Sequence, residues 1–398
     1  MAGMTLEEYV DAYYGGTLGL SKRYGIQKAD DPLTTADTAY FNTMYGAKVF
    51  NSLNNESDVF KLLPKQPWNS SGWRVLTTRT ASASNAGVTE GGAFPDTDVP
   101  DLVELSASLK EVVSAWDLST AASTLSRADD GLGDVEGFLR DNAATDHAYY
   151  IDQMLMKQND TLASNNFESL DRLIGDNVEA GLTGTGSSIA AGDLDPYGAT
   201  AGDFDRDGGA VAWLDANVSA GSVASNLATA RTLTLAMLDS VIGDALENGA
   251  AYENLVFLTG YDTLEEWKQL IMSGTSNANW RFLMEAQSPK NQSGVKSMPG
   301  MNLDTRVGYY DSIPIFATQH APKAALTNGT TGVGTGISNI YLMDLSGLHF
   351  KLAVPTTYVA NEDLGVTQKL AREYAFITGG EVICTSFNTQ GKVRDLEL

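Results

Sequence analysis

The chain has 398 residues, 43% of them hydrophobic, with 50 acidic side chains against 26 basic ones and a net charge of −24. That length can bury a large core across two or three domains, while the acidic balance opposes tight binding to a nucleic-acid backbone, which needs a basic surface. No apolar run approaches the ~20 residues of a membrane span, and the acidic start MAGMTLEEYVDAYYGG lacks the apolar segment of a signal peptide.

Residues 1–60 are polar and interrupted by Gly15-Gly16 and Pro32, with helix candidates at 6–14 and 35–53. They read as an N-terminal arm without a core of its own. A strand is expected over 73–80. In 102–116, Val103, Leu105, Ala107 and Leu109 alternate with Glu104, Ser106, Ser108 and Lys110, the period-two pattern of a strand with one apolar face. The two runs make a β-ribbon within 61–115, an arm about 40 Å long if a dozen residues pair. Between them lies VTEGGAFPD (88–96), a small-residue, acidic, proline-bearing tip. An isolated two-stranded ribbon is marginal in water, so it must lie on something.

Asp134 is a good N-cap for a helix running about 24 residues, roughly 36 Å, from Val135. Leu139, Ala143, Ile151, Met154 and Leu155 fall near one face, Tyr149 and Tyr150 broaden it, and His147 reads as a packing residue along it. Residues 181–222 are Gly, Ser, Ala and Asp with few large apolar side chains, an inserted surface flap. A helix is expected after Ser222, with Leu235, Leu238, Ile242 and Leu246 as its seam and Asn248-Gly249 at its end. NLVFLTG then reads as a short buried strand, followed by a helix capped by Asp262 or Thr263. The C-terminal third holds the strands SIPIFAT, NIYLMD, LHFKLAV and AREYAFITGGEVICTSF. The order defines an α+β chain, divided at 116–222, 223–365 and 366–398 beyond the ribbon.

Catalytic chemistry needs convergent groups, and the sequence offers few. His147, His320 and His349 are widely separated, with neither HExxH nor HxH spacing. GVGTG at 332–336 lies on the wrong side of a strand for a dinucleotide fingerprint and reads as a loop. Cys384, the single cysteine, excludes an intrachain disulfide and sits in the strand-like EVICTSF as a buried thiol. Carboxylates are too numerous for one acid/base couple to stand out. The chain therefore reads as a non-enzyme that requires no cofactor. One metal candidate exists: Asp203, Asp205 and Asp207, followed by Gly208, match the first half of a Ca²⁺ loop that could equally take Mg²⁺. The position of the bidentate glutamate is Leu214, with Asp215 one residue late, so a solvated acidic turn remains the other reading.

The order of elements over 40–395 resembles the major capsid protein of tailed viruses, the Johnson fold of tailed bacteriophages and the herpesvirus capsid floor. In that family a β-ribbon, the E-loop, carries a tip reading roughly E-G-x-x-x-P. Glu90, Gly91, Gly92, Ala93, Phe94 and Pro95 match it, and LVELSASLKEVVSAWDLS resembles the returning strand. The helix from Val135 is similar to the spine helix of the peripheral domain, and NLVFLTGYDTLEEWKQLI to the strand and helix of the axial domain. VGYYDSIPIFATQHAP resembles the family's G-x-P-V segment, with Asp311-Ser312 where a glycine is usual. EYAFITGGEVICTSFNTQGKVRDL resembles the strands that return to the peripheral domain.

The resemblance implies a shell protein, a virion component assembled in the host cytoplasm. Its pentamers and hexamers would build an icosahedral head around double-stranded DNA without sequence-specific binding, and without a membrane. Glu90, Gly91, Gly92, Phe94 and Pro95 would be assembly contacts. Partners would include a portal, a scaffold or protease, and accessory turret or cement proteins. The ribbon from Arg74 to Leu109 contains no lysine, which opposes the E-loop isopeptide crosslinks of some relatives, and the short arm implies a separate or already removed scaffold. An acidic coat keeps a protein hydrated at high salt, where screening removes its self-repulsion, which points to a haloarchaeal virus; an ordinary acidic protein is the alternative. Two rival functions stand beside this one: an encapsulin-like compartment shell, and a Ca²⁺-binding surface protein built from the Asp-Gly flap.

Overall fold

A computed structural model describes residues 59–78, 87–94, 99–128, 135–157, 165–176, 197, 206, 214–221, 223–224, 227–228, 231–273, 282–284, 308–328, 332–361 and 371–397. The arm helices expected within 1–58, the Asp134 cap, Pro95, and Asp203, Asp205 and Asp207 lie outside them. The chain forms two compact units. Among the described residues, one holds Glu111–Tyr150 and Val354–Gly379, and the other holds 59–110, Ile151–Ala353 and 380–397.

In chain order the elements begin with α1 (Val59–Leu62), β1 (Lys65–Pro67), β2 (Gly72–Thr78), β3 (Asp101–Ser106), β4 (Lys110–Ser119) and α2 (Thr120–Ala128). Then come α3 (Val135–Leu155), α4 (Leu170–Leu173), β5 (Asn217–Ser219), β6 (Val223–Ala224), β7 (Leu227–Ala228) and β8 (Arg231–Thr232). Next are α5 (Leu235–Glu247), β9 (Leu255–Gly260), α6 (Tyr261–Ser273), β10 (Phe282–Met284), β11 (Gly308–Tyr310) and β12 (Ile313–Thr318). The rest are strands: β13 (Lys323–Asn328), β14 (Gly332–Ser338), β15 (Ile340–Asp344), β16 (Leu348–Asn361), β17 (Ala371–Cys384), β18 (Gly391–Val393) and β19 (Leu396–Glu397).

A seven-stranded mixed sheet runs β10-β11-β12-β9-β15-β18-β5, with β9 at its centre. All six residues of β9 are buried, and that is why LVFLTG lacks alternation: a strand covered on both faces reads as a continuous apolar run. On α5, Leu238, Val241, Ile242 and Ala245 are buried at the i, i+3, i+4, i+7 spacing of one helical face. The fit to β18 is close. A Cβ on Gly391 would stand 2.3 Å from Val241 Cγ1, so only glycine serves there. Trp267 of α6 is fully buried and meets Phe257 of β9 edge-on at 5.3 Å.

A second sheet runs β1-β16-β17-β4. In the unit built from Glu111–Tyr150 and Val354–Gly379, Leu118, Ala122, Val135 and Tyr374 form the core, with Trp116 and Leu139 against it. Trp116, Tyr358, Tyr374 and Phe376 hold their ring centroids 5.4–6.0 Å apart. His147 lies beside them, with Nδ1 2.8 Å from Ser114 Oγ and Nε2 2.8 Å from Thr378 Oγ1. It is a satisfied core histidine, and burial lowers its pKa.

Several local expectations change. The return strand expected over 102–116 is two strands: β3 pairs with β2, and β4 belongs to the β16–β17 sheet. Leu105 and Ala107 point inward, but so do Lys110 and Val112, while Leu109 is 47% exposed. Residues 107–109 leave the ladder, and that gap reverses the parity that alternation alone extends through Leu109. Among the described residues the paired ribbon is β2 and β3, about 20 Å. The long helix holds 21 residues, and Tyr150 faces solvent at 44% exposure rather than broadening the buried face. The helix expected after Ser222 starts at Leu235, because Val223–Ala224, Leu227–Ala228 and Arg231–Thr232 form the short strands β6 to β8. Asp262 and Thr263 sit inside the first turn of α6, which begins at Tyr261. Gly332 opens β14 and is not in a loop. The end of the acidic flap is no surface loop either: Leu214 is buried and Asn217–Ser219 is the edge strand β5.

The β11–β12 hairpin explains the missing glycine. Tyr310 pairs with Ile313 across a two-residue turn, and both turn residues adopt positive φ, 48° at Asp311 and 69° at Ser312. This is the geometry that Asn-Gly favours. Asp311 is useful there, since Tyr252 Oη donates to its Oδ2 at 3.1 Å. Ser312 makes no such return. Ser312→Gly removes strain of about 1–2 kcal/mol against about 0.5–1 kcal/mol of extra chain entropy. It should raise the melting temperature by roughly 1–3 °C, and a lowered value would show that the serine is not strained.

Candidate functional site: the ribbon, its tip and its base

On the inner face of the ribbon, Val75 pairs with Val103 and Trp73 with Leu105. On the outer face, Arg74 stands opposite Glu104, an opposite-charge cross-strand pair. One step further out, Leu76 faces Leu102, and these two are exposed by 37% and 60%. The register slips between Leu76 and Thr78, where Thr77 is the extra residue of a bulge. A ribbon with one apolar face is the sequence expectation; the structure adds apolar side chains on the other face as well.

At the tip, Gly92 N–H donates to Thr89 O at 2.8 Å, closing a turn through Glu90 and Gly91. Gly91 has φ +77°, the left-handed value that the third position of a type II turn requires, so glycine is structural there. Glu90, Gly91 and Gly92 thus form one feature. Phe94 stands apart at 96% exposure, with Val88 and Val99 also in solvent at 48% and 77%.

At the base is a buried charge cluster that sequence reasoning missed. Glu381 of β17 is fully buried, and its Oε1 accepts from Glu168 N–H at 2.7 Å and Val382 N–H at 2.9 Å. Its Oε2 lies 2.9 Å from Lys110 Nζ, which is also 3.6 Å from Glu168 Oε1. Arg172 Nη1 donates to Glu168 Oε2 at 2.7 Å. Burial pushes the Glu381 carboxyl up to about 7, with Lys110 pulling it down and Glu168 pushing it further up. The sequence signal was a lone acid inside the apolar run of ITGGEVIC, where a charge has to be paired.

Two further clusters hold the same unit together. Lys392, fully buried, donates to Asp171 Oδ1 and to Asp171 O, both at 3.0 Å, and Tyr341 Oη donates to the same carboxylate at 2.7 Å. Burial opposes ionisation of Asp171, but Lys392 and the Tyr341 hydroxyl outweigh it and hold the carboxyl below its ordinary value. Arg206, the one base in DFDRDGG, is completely buried and donates Nε to Asp215 Oδ1 at 3.1 Å. Asp215, the late twelfth-position candidate of the metal loop, is thus bonded to a guanidinium. Among the described residues, no group of three His, Cys, Asp or Glu is arranged to hold a metal ion. Burial pushes the Cys384 thiol up to about 12, which makes it inert as a nucleophile.

No family model and no curated protein matches the chain. Among solved structures, a chain of the cyanophage A-1(L) capsid asymmetric unit is similar with a TM-score of 0.60 at 15% identity, over 92% of this chain and 100% of that one. The capsid of the native GTA particle matches at 0.48 and 13% identity, covering 98% of this chain and 99% of that one. A chain of Mycobacterium phage Adephagia matches at 0.47 and 11%, covering 92% and 99%. The cyanophage match defines the fold. This is an α+β chain with the Johnson-type fold of tailed-phage capsid structures.

Proposed function

We propose that the chain is a major capsid protein, a non-enzymatic virion component that assembles into pentamers and hexamers and closes an icosahedral shell around double-stranded DNA. The observation that carries this reading is the ribbon. It projects Leu76, Leu102, Val99 and Phe94 into solvent, and such an arm gains stability when laid on another copy. A contact between two different surfaces of identical subunits closes into a ring when its rotation divides a full turn. The fold supports the reading, since it matches the whole length of a chain from a phage capsid. Portal, scaffold and cement partners belong to the same proposal, as does assembly in the host cytoplasm.

The net charge of −24 supports a high-salt host, and on that ground we place the virus among those of haloarchaea. At molar salt the Debye length is about 3 Å, and at 0.01 M it is about 30 Å, enough for whole neighbouring subunits to repel. Electron microscopy of the purified protein in molar salt should show closed shells, and dialysis to low salt should release capsomers. Discrete monomers at every salt concentration would end the shell reading. Shells from native sources filled with protein instead of DNA would transfer it to a compartment. Shells that survive low salt would remove the high-salt host alone.

A further inference from the structure

Both strands of the ribbon are tied at their base to the same short stretch of β17. On the β2 side, Trp73 meets the Tyr197 ring edge-on at 4.8 Å. The Tyr197 hydroxyl donates to Val382 O and accepts from Cys384 N–H, both at 2.9 Å. On the β3 side, Ala107 N–H donates to Ser71 O at 2.9 Å and closes the ribbon. Lys110, where β4 begins, then reaches Glu381. The first tie is aromatic, with Lys351 Nζ 5.9 Å from the centre of the Trp73 ring. The second is a pair of charges.

We propose that this second tie is a proton-operated latch: ionised Glu381 holds Lys110, and protonated Glu381 passes it to Glu168 and loosens the base of the ribbon. Oε1 of Glu381 already accepts two backbone N–H groups, so an added proton goes to Oε2. That atom faces Lys110 Nζ at 2.9 Å. A hydroxyl there sets a donor against an ammonium, and the pair comes apart. Glu168 Oε1 is the waiting acceptor at 3.6 Å, and its other oxygen stays on Arg172.

Two other ionisable groups beside the cluster are pushed away from neutral pH. Burial, with Cys384 and Glu168 adding to it, pushes the Tyr197 phenol well above its ordinary value, and the Cys384 thiol rises to about 12. Burial places the Glu381 carboxyl at about 7. The Lys110 side chain keeps 14% of its surface in solvent while Glu381 has none, so protons exchange along the lysine.

The latch belongs to the folded chain and does not depend on shell formation. Hydrogen exchange of the Ala107 amide, corrected for its intrinsic rate, tests it in the full-length protein. Between about pH 8.5 and about pH 5.5 its protection should fall roughly tenfold, the change one pKa unit of coupling produces. The midpoint should lie near 7. Glu381→Gln should hold protection at the low level throughout. Lys110→Gln, whose amide can donate or accept, should remove the transition, which keeps the test available if Glu381→Gln does not fold. A flat profile in the parent protein, or the same transition in either variant, overturns the proposal.

Discussion

Lys110→Met should destabilise the chain by about 3–5 kcal/mol at about pH 8.5 and by much less near pH 5.5. The substitution keeps the length and apolar stem of the side chain but leaves Glu381 buried without its cation. The sign follows from the proton balance. The folded carboxyl titrates at about 7, against an ordinary value of 4.5. Between those values the native state holds a proton that the unfolded state has lost, so stability falls as pH rises through the window. Above 7 the penalty is complete, roughly 3 kcal/mol before the lysine is removed. Without Lys110 the carboxyl rises further and the alkaline penalty grows, whereas in acid Glu381 is neutral and needs no partner. His147, His320 and His349 act in the opposite direction: burial lowers each, so their contribution is lost as pH falls below the unfolded value of 6.5. Subtracting parent from variant melting curves cancels the histidines. The difference should be on the order of 5–10 °C at the alkaline end. An equal loss at both ends would mean that Glu381 does not titrate in this range.

If the chain forms the proposed shell, Phe94→Ser should leave the melting temperature of the subunit unchanged and abolish shells at concentrations where the parent forms them. The side chain is 96% exposed, so the folded subunit loses no packing. Burying a phenylalanine against another copy contributes about 1.5–3 kcal/mol, which weakens each contact roughly 10- to 100-fold. A shell repeats the contact at every subunit, and the losses compound. Light scattering against protein concentration reads the threshold directly, and calorimetry of the unassembled subunit supplies the control. Unchanged scattering would remove the tip from the assembly surface while leaving the outer pair Leu76 and Leu102 to be tested in the same way.

Much of the fold was legible because its signals are local. Alternation in Val103, Leu105 and Ala107 marks a strand with one buried face. Six consecutive residues from Leu255 mark a strand covered on both. Asn248 ends α5, and Gly249 follows it at φ +96°, as a helix stop requires. The tip was visible as a run of small residues between two strands, and the structure puts Gly91 there in left-handed backbone. Each of these depends on backbone geometry within a few residues, and neighbours along the chain decide it.

What the tertiary structure decided is where strands change sheet and where charges meet. The alternation continues through Leu109, yet the ladder breaks at Ala107 and Lys110 turns inward. No local pattern encodes a change of partner strand. Asp311-Ser312 is an ordinary polar pair by composition, and the tight pairing of Tyr310 with Ile313 forces it into left-handed backbone. Arg206 looks like a solvated base among aspartates and is instead buried on Asp215. Glu381 was one acid among fifty until folding put Lys110 and Glu168 beside it. A buried charge needs a partner because desolvation is costly, but the chain position of that partner is set only by how distant segments pack.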